Sequence, residues 1–91
     1  MRDVLETRLR ESLDATHVEV IDESHLHAGH AGAREGGRHF RAVVVSEKFE
    51  GLGRVRSQQL VYQAVEDWMG NEIHALSMKT FTPKTWAAEQ A

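Results

Sequence analysis

The chain has 91 residues, 41% of them hydrophobic and 27% charged, with a net charge of −3 when the histidines are neutral. That is the composition of one ordinary globular domain spanning residues 1–91, with little stability in reserve at this size. The absence of cysteine excludes a disulfide, a thiolate ligand and a cysteine nucleophile, and the acidic balance weighs against tight nucleic-acid binding, which needs a basic face to neutralise phosphates.

A first helix is expected from about Arg2 to about Asp14. Leu5, Leu9 and Leu13 recur every four residues with Val4 beside them, Arg8 and Arg10 lie toward the polar side, and Asp3 and Glu6 have capping-box spacing. His17-Val18-Glu19-Val20-Ile21-Asp22 alternates at period two, which predicts a strand with Val18 and Val20 inward.

A glycine-rich stretch without hydrophobic period follows, carrying His25, His27, His30 and His39 within fifteen residues. It is expected to be a mobile loop, and loops of this length in small domains tend to be functional or disordered. Imidazole is the commonest side-chain metal ligand and titrates near neutral pH. Gly29-His30-Ala31-Gly32 spells the Gly-x-x-Gly of nucleic-acid-binding KH domains, but it sits in a hairpin loop without basic neighbours, so the match is taken as accidental.

The valine run in Phe40–Val45 predicts a second strand, antiparallel to the first and buried on both faces near the middle of a sheet. Lys48–Gly53 reads as a turn, with Gly51 and Gly53 free to adopt unusual dihedrals. A second helix is expected over roughly Arg54–Met69, with Leu60, Val61, Ala64, Val65 and Trp68 on one face and Gly70 as its left-handed stop. Ile73–Phe81 predicts a third strand. Thr82 followed by Pro83 is an N-cap and first helical residue, opening a short last helix that carries Trp86.

The order is α-β-β-α-β-α. Helices covering one face of a three-stranded mixed sheet give a two-layer α+β domain. Trp68 and Trp86 are expected in or at the edge of the core, His17 and His25 in solvent, and Arg54, Arg56, Lys79 and Lys84 on a solvated face. No apolar run approaches a membrane span and Met1–Glu6 carries no apolar signal core, so a cytoplasmic protein with no membrane contact is expected. Ser24, Ser46, Ser57 and Ser77 have no acid–base partner fixed by spacing, and no paired carboxylates stand out, so the chain reads as a binding protein rather than an enzyme. On residues alone, His74 is a packed or half-exposed sheet histidine in step with Leu76 and Met78. His27 and His30 are likewise solvated loop residues with a loose His-x-His-x-x-His pattern.

Several spaced blocks change that weighting. They are Asp22-Glu23-Ser24, His39-Phe40-Arg41-Ala42-Val43-Val44-Val45-Ser46, Lys48-Phe49-Glu50-Gly51, Arg56-Ser57-Gln58-Gln59-Leu60-Val61-Tyr62, Ile73–Thr80, and Thr82-Pro83 with Trp86. Over nearly its whole length the chain resembles the BolA family, in its histidine rather than cysteine type. The resemblance implies a class II KH-like fold. It also implies a heterodimer with a monothiol glutaredoxin of Cys-Gly-Phe-Ser type, in an iron–sulfur cluster assembly or trafficking role. The pair would hold a bridging 2Fe-2S cluster, shared with the glutaredoxin and glutathione and not expected in the isolated protein, which is expected to be a monomer. The metal ligands so implied are His74, in Ile73-His74-Ala75, and one loop histidine. Counting forward from Asp22-Glu23-Ser24 selects His27, counting back from His39-Phe40 selects His30, and His39 is a third choice. Histidine in place of thiolate has a precedent in Rieske centres, and a chain without thiols needs a partner to supply sulfur. The alternative implied function is a KH-like DNA-binding transcriptional regulator.

Overall fold

The computed structural model describes residues 1–23 and 38–90. The elements are α1 (Arg2–Ser12), β1 (His17–Asp22), β2 (His39–Val45), a 3₁₀ turn (Glu47–Phe49), α2 (Arg54–Ala64), β3 (Ala75–Phe81) and α3 (Pro83–Gln90). This is the expected α-β-β-α-β-α order. The sheet runs β1-β2-β3, antiparallel between β1 and β2 and parallel between β2 and β3, so the valine-rich strand is central and the sheet is mixed.

The core lies between the sheet and the first two helices. Leu5, Leu9 and Leu13 supply the α1 stripe. Val18 and Val20 face it from β1, Phe40, Ala42 and Val44 from β2, and Val61 and Val65 from α2 and its exit. Val4 lies off the stripe, 56% exposed. Ser46 is wholly buried. Its hydroxyl donates to Leu13 O (2.6 Å) and accepts from Lys48 N (3.0 Å), joining the end of α1 to the turn after β2.

Local expectations depart from the structure at several places. Asp3 is inside α1, whose N-cap is Met1 with no side-chain cap bond. The last two α1 residues expected, Leu13 and Asp14, lie outside the helix, and Asp14 takes a positive φ of 49°. The second helix stops at Ala64 because its bonds tighten to i−3: Val65 N donates to Tyr62 O and Trp68 N to Val65 O. Gly70 does adopt the left-handed conformation (φ 85°), but beyond those turns. Gly51 also has positive φ (75°), whereas Gly53 has an ordinary φ of −74° as the α2 N-cap. Thr82 caps α3 as expected, accepting from Thr85 N at 3.1 Å, while Thr85 Oγ1 accepts from Thr82 N at 2.8 Å.

The central strand is not buried on both faces along its length. Arg41 is exposed and Val43 only half-buried, because α1 and α2 cover one face and the other is open over most of the sheet. Val45 is the exception. It shares the open face, between His17 on β1 and Phe81 on β3, yet is completely buried. Trp86 of α3 reaches both flanking rings, stacking on His17 (centroids 5.0 Å apart) and tilted against Phe81 (5.1 Å). Trp86 therefore packs on the face opposite the main core. His17 is not simply solvated: it lies beneath this indole and contacts Glu19 at 2.6 Å. Trp68 does border the main core, with the Arg8 guanidinium 3.8 Å above its ring.

Candidate functional site

His74 lies one residue before β3 rather than within it, and its side chain is exposed. Its backbone is nevertheless held. The carbonyl of Arg38 accepts from both His74 N (3.0 Å) and Ala75 N (3.1 Å), which pins the entry to β3 against the lead-in to β2. Behind it stand Ile73, Phe40 and Leu76, all buried. The sequence places a polar ring between apolar neighbours, and the fold turns that ring outward while Ile73 anchors the backbone.

On the other side of β2, Glu23 N donates to His39 O (2.7 Å), and the Glu23 carboxylate lies 3.4 Å from the Arg41 guanidinium. Glu23 and Arg38 are the last and first described residues on either side of the histidine-rich segment. Both of its ends are thus rooted at the sheet end where His74 stands. His39 opens β2 and pairs with Ala75, one residue from His74; it is half-buried and engaged with neighbouring groups. Charges of both signs meet at this corner: Arg38 and Arg41 on β2 and its lead-in, Asp22 and Glu23 at the end of β1, and Glu72 just before Ile73.

His25, His27 and His30, with Gly29-His30-Ala31-Gly32, lie outside the described residues. The expected hairpin loop and its mobility therefore lie outside them too. Among the described residues no three His, Asp or Glu side chains gather as a metal site. His17 belongs to the opposite end of the sheet, opposite Val45 and six residues along β2 from His39, about 20 Å away at strand rise. The part played by Arg38 is not legible in the residues. Its signal, a position at the boundary between loop and strand, does not by itself reveal that its carbonyl bridges to β3. Ser46 and Ser57 direct their hydroxyls to backbone carbonyls, of Leu13 and Gly53 respectively. Arg54, Arg56, Lys79 and Lys84 are exposed as expected.

A three-stranded mixed sheet with this helix order defines a small α+β domain, here with a histidine presented at its β3 entry. The family model described as BolA-like protein matches residues 9–85, and the chain belongs to that family. It is similar to the DNA-binding transcriptional regulator BolA of Vibrio cholerae, 37% identical over 86 residues, 94% of this chain and 78% of that protein. A crystal structure of a Bol-like protein from Babesia bovis superposes with a TM-score of 0.81 at 35% identity, covering 100% of this chain and 94% of that one. The BolA domain of SufE1 from Arabidopsis thaliana superposes at 0.80 with 33% identity, covering 92% and 93%. None of these three is named as an enzyme. No helix among the described residues is long and apolar enough to cross a membrane.

Proposed function

We propose that the chain is an adaptor in iron–sulfur cluster assembly or trafficking. In this reading it docks with a monothiol glutaredoxin and offers His74 and one of His27 or His30 to a bridging 2Fe-2S cluster. The observation that carries the reading is the exposed His74 beside Arg38, with both ends of the segment bearing His27 and His30 rooted at the same corner. Covalent geometry keeps His27 within about 14 Å of Glu23, four residues away. The donor set suits the group: imidazole nitrogen replaces thiolate at iron, and a cysteine-free chain leaves the sulfur ligands to the partner. Of this chain's own residues, Arg38 O orients His74, and Ile73 holds it to the core.

The test is to mix the protein with cluster-loaded monothiol glutaredoxin and record visible circular dichroism. A changed spectrum that is lost with His74→Ala, and with one of His27→Ala or His30→Ala but not both, supports the reading. An unchanged spectrum overturns it.

A second reading, a DNA-binding regulator working in the cytoplasm, is favoured by the name of the Vibrio cholerae relative. The charge of −3 opposes it. Titration against duplex DNA at two salt concentrations separates the two: a steep salt slope with sequence preference would promote the regulator.

A further inference from the structure

The end of β3 away from His74 carries a second feature. Ala75 N donates to Arg38 O, and Phe81 O accepts from Ser46 N, so the odd-numbered residues of β3 turn their peptide groups toward β2. In a strand the alternate residues turn theirs the other way. Leu76, Met78 and Thr80 therefore face the sheet edge, where no further strand lies among the described residues. Tyr62 Oη donates to Leu76 O at 3.1 Å and closes that position. The N–H and C=O groups of Met78 and Thr80 have no such cover among the described residues.

These two residues line a groove of about 460 Å³ between the start of α2 and the start of α3. Leu52 contributes apolar wall. Arg54 stands on the α2 side, Lys79 on the strand, and Glu89 is the single carboxylate of the lining. Arg54 and Lys79 are exposed and form no ion pair among the described residues. Gly53, the N-cap of α2, gives no side-chain cap bond, so the positive end of the helix adds to the same wall.

An open edge is ordinarily guarded against pairing with copies of itself. Here the guard is selective. Antiparallel pairing of two β3 strands centred on Met78–Thr80 would set Lys79 against its own copy, like charge on like. An acidic strand would meet opposite charge instead. A single-stranded nucleic acid fits less well, because such grooves stack bases on exposed aromatic rings, and of the two aromatic residues of the lining Phe49 is 3% exposed and Phe81 is half-buried with Trp86 against its ring.

We propose that this groove is a docking site for an extended acidic segment of a partner protein, added as a fourth strand beside Met78–Thr80. Main-chain hydrogen bonds supply affinity, and the flanking cations supply preference. The site is separate from the His74 corner, about 10 Å along β3 from Ala75 to Met78 at strand rise, so it stands or falls independently of the cluster reading.

The test uses the full chain and a fluorescent acidic pentapeptide with Glu or Asp alternating with Val. Saturable binding by anisotropy is expected, weakened at least about ten-fold by Lys79→Glu and by Arg54→Glu and abolished when alternate peptide amides are N-methylated. The Met78 and Thr80 amides should gain protection from hydrogen exchange on binding. Four results would each overturn the proposal. They are no binding at millimolar peptide, equal binding of the N-methylated peptide or by the charge-reversed variants, displacement by a single-stranded oligonucleotide that binds more tightly, and a dimer that protects these amides without peptide. The N-methylated ligand leaves the protein unaltered, so a folding defect in a variant cannot mimic the result.

Discussion

Replacing His74 by alanine separates a binding role from a structural one, because position 74 and its neighbour lie on opposite sides of the sheet-entry backbone. The His74 ring is exposed and makes no side-chain hydrogen bond among the described residues. Its backbone N–H, bonded to Arg38 O, survives the substitution. A surface change of this kind alters stability by no more than about 0.5 kcal/mol. Ile73, by contrast, is 0% exposed in the main core. Ile73→Ala removes buried methyl groups and leaves a cavity, costing about 2–5 kcal/mol, toward the upper end because the site is fully enclosed. That is a large fraction of the 5–15 kcal/mol typical of a whole domain.

The assay pairs urea unfolding of both variants with visible circular dichroism after addition of cluster-loaded monothiol glutaredoxin. His74→Ala should unfold with the wild-type midpoint and yet lose the transferred spectrum. Even residues that only orient ligands cost about 10–100-fold in metal affinity when removed, and a ligand itself should cost more. Ile73→Ala should shift the midpoint strongly and, below the onset of unfolding, retain the spectrum. If His74→Ala lost more than about 1 kcal/mol, well outside the surface range, its ring would be a packing element and the exposed geometry wrong. If it kept the spectrum, the ligand assignment would fail.

Three further outcomes follow from the packing. Trp86→Ala should uncover Val45 and detach α3 from the His17–Phe81 row, lowering stability by about 2 kcal/mol, below the usual aromatic-to-alanine cost because the indole is only half-buried. Hydrogen exchange of the α3 amides should rise at the same time; unchanged α3 protection would contradict it. Ser46→Ala should cost about 1–3 kcal/mol in urea unfolding, because Lys48 N and Leu13 O lose their buried partner. The Arg8 guanidinium beside Asp67, 2.7 Å away, holds that carboxyl below its ordinary value of 3.8. A lowered folded pKa contributes stability above the ordinary value and loses it as pH falls through the folded one. The stability gap between wild type and Asp67→Asn should therefore be present at neutral pH and close only as pH falls below the ordinary value of 3.8. A gap that widened toward acid would reverse the assignment.

The central strand β2 marks the limit of what a hydrophobic pattern specifies. Its valine run indicates a central strand, and β2 is central, but the run does not report what covers each face. Val43 and Val45 share one face and differ in burial only because Trp86 arrives over the second. Thr82-Pro83 marks the start of α3 correctly, since an N-cap is a contact between residues three apart. The helix expected to Met69 overruns the end of α2 because Val65 and Trp68 keep the helical spacing of apolar positions after the helix has tightened into turns, and periodicity cannot distinguish the two.

The amino-acid order alone determined the element sequence, the Leu5-Leu9-Leu13 stripe, the inward Val18 and Val20, and the lack of any sulfur donor from cysteine. These are properties of neighbours a few residues apart, where helix and strand periods act directly. Only the tertiary structure decided that β3 lies parallel to β2 with Arg38 bonded to His74, that α3 crosses to the open face, and that Met78 and Thr80 turn their peptide groups toward an uncovered edge. Those outcomes depend on pairing register and on which faces meet, and both are set by contacts between residues distant in the chain.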